Sequence, residues 1–92
     1  MAKHQITIEY CTQCRWLLRA AWLTQELLFT FETDIQQVGL VPSSGGIFRV
    51  SLDGDIIFDR KIMGRFPESK EIKQLIRNKI DPERSLGHSD SE

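Results

Sequence analysis

The sequence lacks any long apolar run, and only two of its 92 residues are cysteine and three are proline. No segment approaches the ~20 consecutive apolar residues that a membrane-spanning helix requires. The first residues lead directly into a strand-like pattern, without the apolar stretch and small-residue cleavage site of a secretory signal. We therefore expect a cytoplasmic protein that does not partner with a membrane.

An excess of charge of either sign is also absent. Twelve Lys and Arg residues accompany thirteen Asp and Glu residues, for a net charge near −1. The basic residues are scattered, and the longest run is the pair Arg60–Lys61. Because nucleic acids and anionic membranes are bound through clustered positive charge, the composition argues against both partners.

The chain length predicts a single hydrophobic core, since 92 residues are too few for a second one. We expect one domain over residues 1–82 and a polar, mobile tail over residues 83–92, in which Leu86–Gly87 contact the body. No internal repeat or low-complexity segment is present.

The two cysteines, Cys11 and Cys14, form a CxxC pair with Thr12 and Gln13 between them. In a reducing compartment, two cysteines at this spacing seldom form a structural disulfide. They are more often catalytic, redox-sensing or metal-binding. We therefore treat this pair as the candidate site.

The pair lies where a strand pattern changes to a helix pattern. Residues 4–10 alternate between apolar and polar, as in a half-buried strand. The segment that follows contains neither Gly nor Pro and favours a helix, which we place from Thr12 or Gln13 to Phe29 or Phe31. In this prediction both cysteines lie at the helix N-terminus, where free N–H groups and the macrodipole favour a thiolate.

The predicted helix is rich in apolar residues. Those assigned to its core-facing side are Leu17, Ala20, Ala21, Leu27 and Leu28. Trp16 and Trp22 lie outside this stripe, and wide helix burial is the simpler explanation for both. The alternative is that Trp16 shields the thiols or presents them to a partner.

The remaining segments complete a β-α-β-β-β-α order. Residues 35–41 form a second strand, parallel to the first, and residues 42–46 form a loop. Asp53–Gly54 then joins two strands of a hairpin through a type I′ turn, and residues 68–80 form the closing helix.

The predicted fold is a thioredoxin-like α/β (α+β) domain with a mixed four-stranded sheet and two helices. The first hairpin strand lies beside the CxxC strand, which brings Gly45 and Gly46 next to the cysteines.

Several segments together carry a family resemblance. They are Tyr10–Cys14, Arg19–Ala20, Gln25–Leu28, Gly45–Val50, Gly64–Pro67 and Leu86–His88. With these motifs the sequence resembles the selenoprotein W-related (Rdx) family, and in particular its bacterial, cysteine-containing branch. The resemblance covers nearly the whole chain. It implies a thioredoxin-like fold, a thiol redox role, and links to glutathione, peroxide defence and phosphoprotein-binding adaptor proteins.

The sequence departs from thioredoxin in two places. Thr12–Gln13 replaces the Gly-Pro between the thioredoxin cysteines, so the reduction potential of thioredoxin does not transfer to this chain. Thioredoxin also has a cis-proline directly before its hairpin strand. Here Gly45–Gly46 occupies that place and Pro42 lies further upstream, so the sequence leaves open whether the Val41–Pro42 bond is cis.

Thiol–disulfide exchange is the function that we predict, with oxidised or thiol-containing proteins as partners. No cofactor is expected beyond glutathione as a co-substrate. Helix geometry favours Cys11 as the attacking thiol, since it is expected to be the more exposed residue at the cap. The resemblance favours Cys14, whose position is occupied by selenocysteine in other members. The substrate-binding candidates are Thr12, Gln13, Gly45, Gly46, Trp16 and Phe66.

Two other functions are compatible with the sequence. A binding module could use an exposed cysteine for redox-dependent contact without turnover, on a flat apolar surface around Trp16 and Phe66. A zinc site is less favoured, because structural zinc needs four ligands and only His4 and His88 could supply nitrogen.

Overall fold

The computed structural model, which describes residues 3–90, contains one mixed sheet and three α-helices. The strands are β1 His4–Cys11, β2 Ile35–Ser43, β3 Phe48–Leu52 and β4 Asp55–Asp59. The helices are α1 Leu17–Thr30, α2 Arg60–Met63 and α3 Ser69–Ile80, followed by a 3₁₀ turn at Gly87–Asp90. The four-stranded sheet and the order of its elements confirm the predicted fold class. None of these helices is long and apolar enough to cross a membrane.

The strand β1 lies at the centre of the sheet, whose order is β2-β1-β3-β4. It pairs in parallel with β2 and antiparallel with β3, as predicted. Cys11 is opposite Ser43 on one side, and Tyr10 is opposite Phe48 on the other. The end of β1, the end of β2 and the start of β3 therefore meet at one edge of the sheet.

The strand β2 is longer than predicted. Pro42 and Ser43, assigned to a loop, continue the pairing with β1. Proline lacks an N–H group, but β2 is an edge strand and one of its sides needs no hydrogen-bonding partner within the sheet. The loop is thus confined to residues 44–47. The structure has no cis peptide bond within residues 3–90, so the Val41–Pro42 bond, whose isomer the sequence left open, is trans.

One face of the sheet packs against α1 and α3. Its buried core includes Ile6, Ile8 and Tyr10 of β1, Phe48, Val50 and Leu52 of β3, Ala20, Leu23 and Leu27 of α1, and Ile72 and Ile76 of α3, together with Phe31, Ile35 and Phe58. The hairpin turn has positive φ at both Asp53 (51°) and Gly54 (89°), which confirms the type I′ prediction. A capping box between Glu68 and Glu71 starts α3.

The short helix α2 was not predicted. The Asp59 side chain accepts the N–H of Lys61 at 3.0 Å and starts it, and Gly64, at φ 74°, ends it. A helix of four residues is too short to show a period in the sequence. The structure therefore has one helix more than expected.

The buried face of α1 also differs from the prediction. Leu17 and Leu28 are exposed, and Trp22 is 54% exposed, so wide helix burial does not hold for Trp22. The helix is apolar on nearly every side, so its sequence fits several alternative faces. Packing on the sheet selects Ala20, Leu23 and Leu27.

The tail contacts the body through ion pairs and one apolar residue. Arg84 forms two hydrogen bonds with Asp34, to its Oδ1 at 3.0 Å and to its Oδ2. Arg77 donates to the carbonyl of Arg84 at 2.7 Å and to Asp90 at 2.9 Å. Leu86 packs against the core, which confirms its expected contact. The domain boundary at residue 82 and the mobility of the tail stay predictions.

Candidate functional site

The two cysteines flank a tight turn at the end of β1. Their Cα atoms are 5.3 Å apart and a disulfide joins them. The turn is closed by the N–H of Arg15, which donates to the carbonyl of Thr12 at 3.0 Å. Arg15 has a left-handed conformation with φ 62°, which is uncommon for a residue with a side chain. The turn brings the chain from the sheet to Trp16, the N-cap of α1.

The predicted position of the cysteines on the helix is wrong. We expected α1 to begin at Thr12 or Gln13, but it begins at Leu17, three residues after Cys14. The turn and the left-handed Arg15 occupy the residues that would have formed the first helical turn. Because the effect of the macrodipole declines within one turn of the helix end, it favours a thiolate here less than we expected.

The predicted exposure of the cysteines is also wrong. Cys11 is buried, with 2% of its surface exposed, whereas Cys14 is exposed. Cys11 ends the central strand, and its N–H donates to the carbonyl of Ile47 at 2.8 Å. The N–H of Cys14 donates to Sγ of Cys11 at 3.3 Å. Cys14 is therefore the member of the pair that a large partner can reach.

The loop of residues 44–47 lies beside the CxxC turn, as predicted. The N–H of Thr12 donates to the carbonyl of Ser43 at 3.0 Å, and Ile47 accepts the N–H of Cys11. Gly45 and Gly46 both have φ 74°, a conformation that favours glycine. The side chain of Lys61 lies 3.8–3.9 Å from the positions that a Cβ would occupy at these glycines. The loop therefore sits between the cysteine turn and a cation.

Trp16 and Phe66 pack together with Phe48. The ring centroids of Trp16 and Phe66 are 4.8 Å apart, and those of Phe48 and Phe66 are 5.5 Å apart, all in edge-to-face geometry. Trp16 is half-buried and contacts the core, which agrees with helix burial as its simpler role. The rings form an aromatic corner on the α1 side of the site.

This corner is not the flat apolar surface that we expected, because two guanidinium groups cover it. Arg19 lies 3.9 Å from the centroid of Phe66, and Arg60 lies 4.8 Å from the centroids of both Trp16 and Phe66. Nε of Arg60 is buried without a hydrogen-bond partner. Neither arginine, nor Lys61, forms a salt bridge with any residue between 3 and 90. The site edge is therefore aromatic and cationic.

An open cleft of about 530 Å³ borders the cysteine turn. Its lining residues are Tyr10, Thr12, Gln13, Arg15, Leu17 and Leu18. The predicted binding residues therefore fall into separate groups. Thr12 and Gln13 line the cleft, whereas Trp16 and Phe66 form the aromatic corner. Gly45 and Gly46 lie in the loop next to Lys61.

Comparison with known proteins assigns the family. The model of the Rdx family matches residues 5–78. The chain belongs to the Rdx family. A selenoprotein W-related protein from Vibrio cholerae is 51% identical with a TM-score of 0.84, and the match covers 87% of this chain and 100% of that one. A protein from Bordetella parapertussis is also 51% identical, with a TM-score of 0.83 and coverages of 86% and 100%. No curated protein matches the chain.

The structure of this Rdx-family chain offers little support for the zinc hypothesis. Within residues 3–90 no group of three or more His, Cys, Asp and Glu side chains is placed to hold a metal. Nδ1 of His4 lies 2.6 Å from Oδ2 of Asp53, at the opposite end of β1 from Cys11. The side chain of His88 lies outside the described part of the structure.

Sequence reasoning missed Arg19, Arg60 and Lys61, which border the site in this Rdx-family member. They belong to two different helices and are far apart in the sequence. The adjacent pair Arg60–Lys61 was visible as the longest basic run. Its position next to the glycine loop depends on the hairpin, which returns the chain to the cysteine edge.

Proposed function

We propose that this protein carries out thiol–disulfide exchange, with Cys14 as the attacking thiol and Cys11 as the resolving thiol. The observation that carries the proposal is an exposed Cys14 joined to a buried Cys11 at the end of the central strand. Exchange requires one sulfur that meets the substrate and a second that meets only the first. The two exposures match these two requirements.

The reaction balances in two steps. In the reduced protein, the Cys14 thiolate attacks one sulfur of a substrate disulfide and the other substrate sulfur leaves as a thiolate, which takes up a proton. Cys11 then loses its proton and attacks Sγ of Cys14, and the second substrate thiol leaves. The substrate gains two electrons and two protons, and the protein ends with the Cys11–Cys14 disulfide. A low-molecular-weight thiol such as glutathione would return it to the dithiol by the reverse exchange.

The burial of Cys11 suits the resolving role. Its sulfur already accepts the N–H of Cys14 at 3.3 Å, so it needs no movement through solvent to reach its partner. The resemblance to selenocysteine-containing members agrees, since selenocysteine occupies the position of Cys14.

The surroundings of the cysteines suit a protein substrate. Thr12 and Gln13 border the cleft, and the glycine loop leaves backbone groups accessible to an extended peptide. Trp16 and Phe66, with the arginines stacked on them, form the aromatic corner nearby. We propose that substrate binds across these groups, and that the protein works in a reducing compartment, the cytoplasm.

Two serine variants test the roles. Cys14→Ser should abolish reduction of a model disulfide, because no thiol then meets the substrate. Cys11→Ser should form a stable mixed disulfide through Cys14, detected by intact mass and reversed by dithiothreitol. Affinity capture with Cys11→Ser would also identify the protein substrates. A mixed disulfide that accumulates on Cys14→Ser instead would reverse the two roles.

A redox-dependent binding module is the second candidate, favoured by the aromatic and cationic corner. Such a module would form one mixed disulfide and stop. Turnover separates the two functions. With a disulfide substrate and excess glutathione, an exchange protein converts glutathione to its disulfide repeatedly, and glutathione reductase then oxidises many equivalents of NADPH per chain. A stoichiometric burst without further oxidation would favour the module.

A further inference from the structure

The solvent-facing side of α1 carries large apolar residues that the redox proposal does not use. Leu18 is 82% exposed, Phe29 is 78% exposed and Trp22 is 54% exposed. These residues lie on the side of the helix opposite Ala20, Leu23 and Leu27, which pack on the sheet. A leucine, a tryptophan and a phenylalanine together on one exposed face are typical of an interaction surface.

The spacing of these residues is that of a helix–helix interface. With exposed Gln25, they follow steps of four, three and four residues, the pattern of a coiled-coil seam. We call Leu18, Trp22, Gln25 and Phe29 the outer stripe. Coiled-coil seams commonly include one polar position, and the Gln25 amide can accept a hydrogen bond from a tryptophan indole N–H.

Opposite charges flank the outer stripe at equal distances. Arg15 precedes Leu18 by three residues, and Glu32 follows Phe29 by three. Both are exposed, and neither forms a salt bridge with another residue of the part of the chain that the structure describes. Both lie just outside α1: Arg15 is in the CxxC turn and lines the same cleft as Leu18, and Glu32 follows the C-cap and lines the same cleft as Phe29. The outer stripe thus has a cation beyond its N-terminal end and an anion beyond its C-terminal end.

This arrangement complements itself when it is read in the opposite direction. In an antiparallel pair of α1 helices, Leu18 faces the partner's Phe29 and Trp22 faces the partner's Gln25. The end of α1 that carries Arg15 then lies beside the partner's end that carries Glu32, and two-fold symmetry repeats each contact. A parallel pair would instead place like charges together. We propose that two copies of this chain associate through the outer stripe as an antiparallel, two-fold symmetric dimer.

The clefts at the two ends of α1 fit this arrangement. One, of about 360 Å³, is lined by Gln25, Leu28, Phe29 and Glu32 at the C-terminal end. The other is the 530 Å³ cleft at the N-terminal end, which Leu18 and the CxxC turn border. Antiparallel pairing places the partner's Phe29 over this larger cleft. The partner copy therefore supplies a wall of the cleft that Thr12 and Gln13 line.

The experiment is sedimentation equilibrium of the full chain over roughly 1–500 µM. An interface with one helix per copy is small, so we expect a dissociation constant of roughly 1–100 µM. Leu18→Glu should raise this constant at least about tenfold, since it buries a charge opposite Phe29. Ile62→Glu is the matched control, because Ile62 is equally exposed, at 82%, and lies on α2. Circular dichroism should show the same fold for all forms.

Charge reversal tests the antiparallel register. Arg15→Glu and Glu32→Arg should each weaken the dimer about three- to tenfold at low salt, and the double variant should restore it. A double variant weaker than both single variants would overturn the antiparallel register. A chain that stays monomeric throughout, or that responds equally to Leu18→Glu and Ile62→Glu, would overturn the dimer. So would a monomeric chain whose outer stripe binds a defined different protein.

Discussion

At the scale of single residues, the site depends on a contrast between two identical side chains. Cys11 ends the central strand, where it pairs with β2 and is buried, whereas Cys14 is exposed in the turn that follows. The CxxC spacing alone does not show which of the two cysteines is buried and which is exposed. Their different surroundings are the basis on which we propose different chemical roles for them.

Asp34 is the residue for which we predict a pH effect on stability. The hydrogen bonds from Arg84 lower the pKa of Asp34 below its ordinary value. Its ionised form is therefore favoured in the folded protein, and this stabilisation is present above the unfolded pKa of ~3.9 and is lost as pH falls below it. We expect Asp34→Asn to lower the free energy of unfolding by about 0.5–1 kcal/mol at neutral pH, since the pair is partly exposed.

Urea unfolding at several pH values measures this effect. The difference between wild type and Asp34→Asn should shrink as pH approaches 3 and the carboxylate is protonated. The same variant in an Arg84→Met background should change stability little, because the partner is already absent. A pH-independent difference would show that the ion pair is not its source.

At the scale of elements, α1 shows how packing selects one face of an apolar helix. Leu27 is fully buried, whereas its neighbour Leu28 is 40% exposed. We expect Leu27→Ala to lower the free energy of unfolding by about 2–5 kcal/mol through lost burial and a cavity. Leu28→Ala should lower the free energy of unfolding by less than about 1 kcal/mol. Urea titration of both variants provides the measurement. Equal losses of unfolding free energy would contradict the orientation in which α1 packs on the sheet.

At the scale of the whole molecule, we expect the fold to persist without the disulfide. The core lies between the sheet and helices α1 and α3, and the Cys11–Cys14 bridge closes only a short loop. Loop-closure entropy for such a loop gives about 2 kcal/mol at most. Oxidation should therefore be reversible and leave the architecture unchanged.

Thermal melts with and without reductant test this expectation. Reduction should lower Tm by no more than about 10 °C for a domain of this size, with an unchanged far-ultraviolet circular dichroism spectrum. Intact mass confirms the redox state through the loss or gain of two hydrogens. If reduction unfolds the protein, the disulfide is required for the fold, which would contradict a redox role.

The sequence by itself determined the elements whose signals are local. The alternation of residues 4–10, the Asp53–Gly54 turn and the pattern of residues 68–80 each depend on neighbours in the chain, so the strand order and the edge that carries the cysteines followed from them. The motifs along the chain were by themselves enough to indicate the family.

Only the tertiary structure decided which side of α1 is buried, where that helix begins and which cysteine is exposed. The helix is apolar around most of its circumference, so its pattern fits several orientations, and contact with the sheet selects one. The exposure of Cys11 and Cys14 and the stacking of Arg19 and Arg60 on Phe66 depend on residues distant in sequence. Such contacts leave no periodic signal, because their energies arise only when the folded chain brings the groups together.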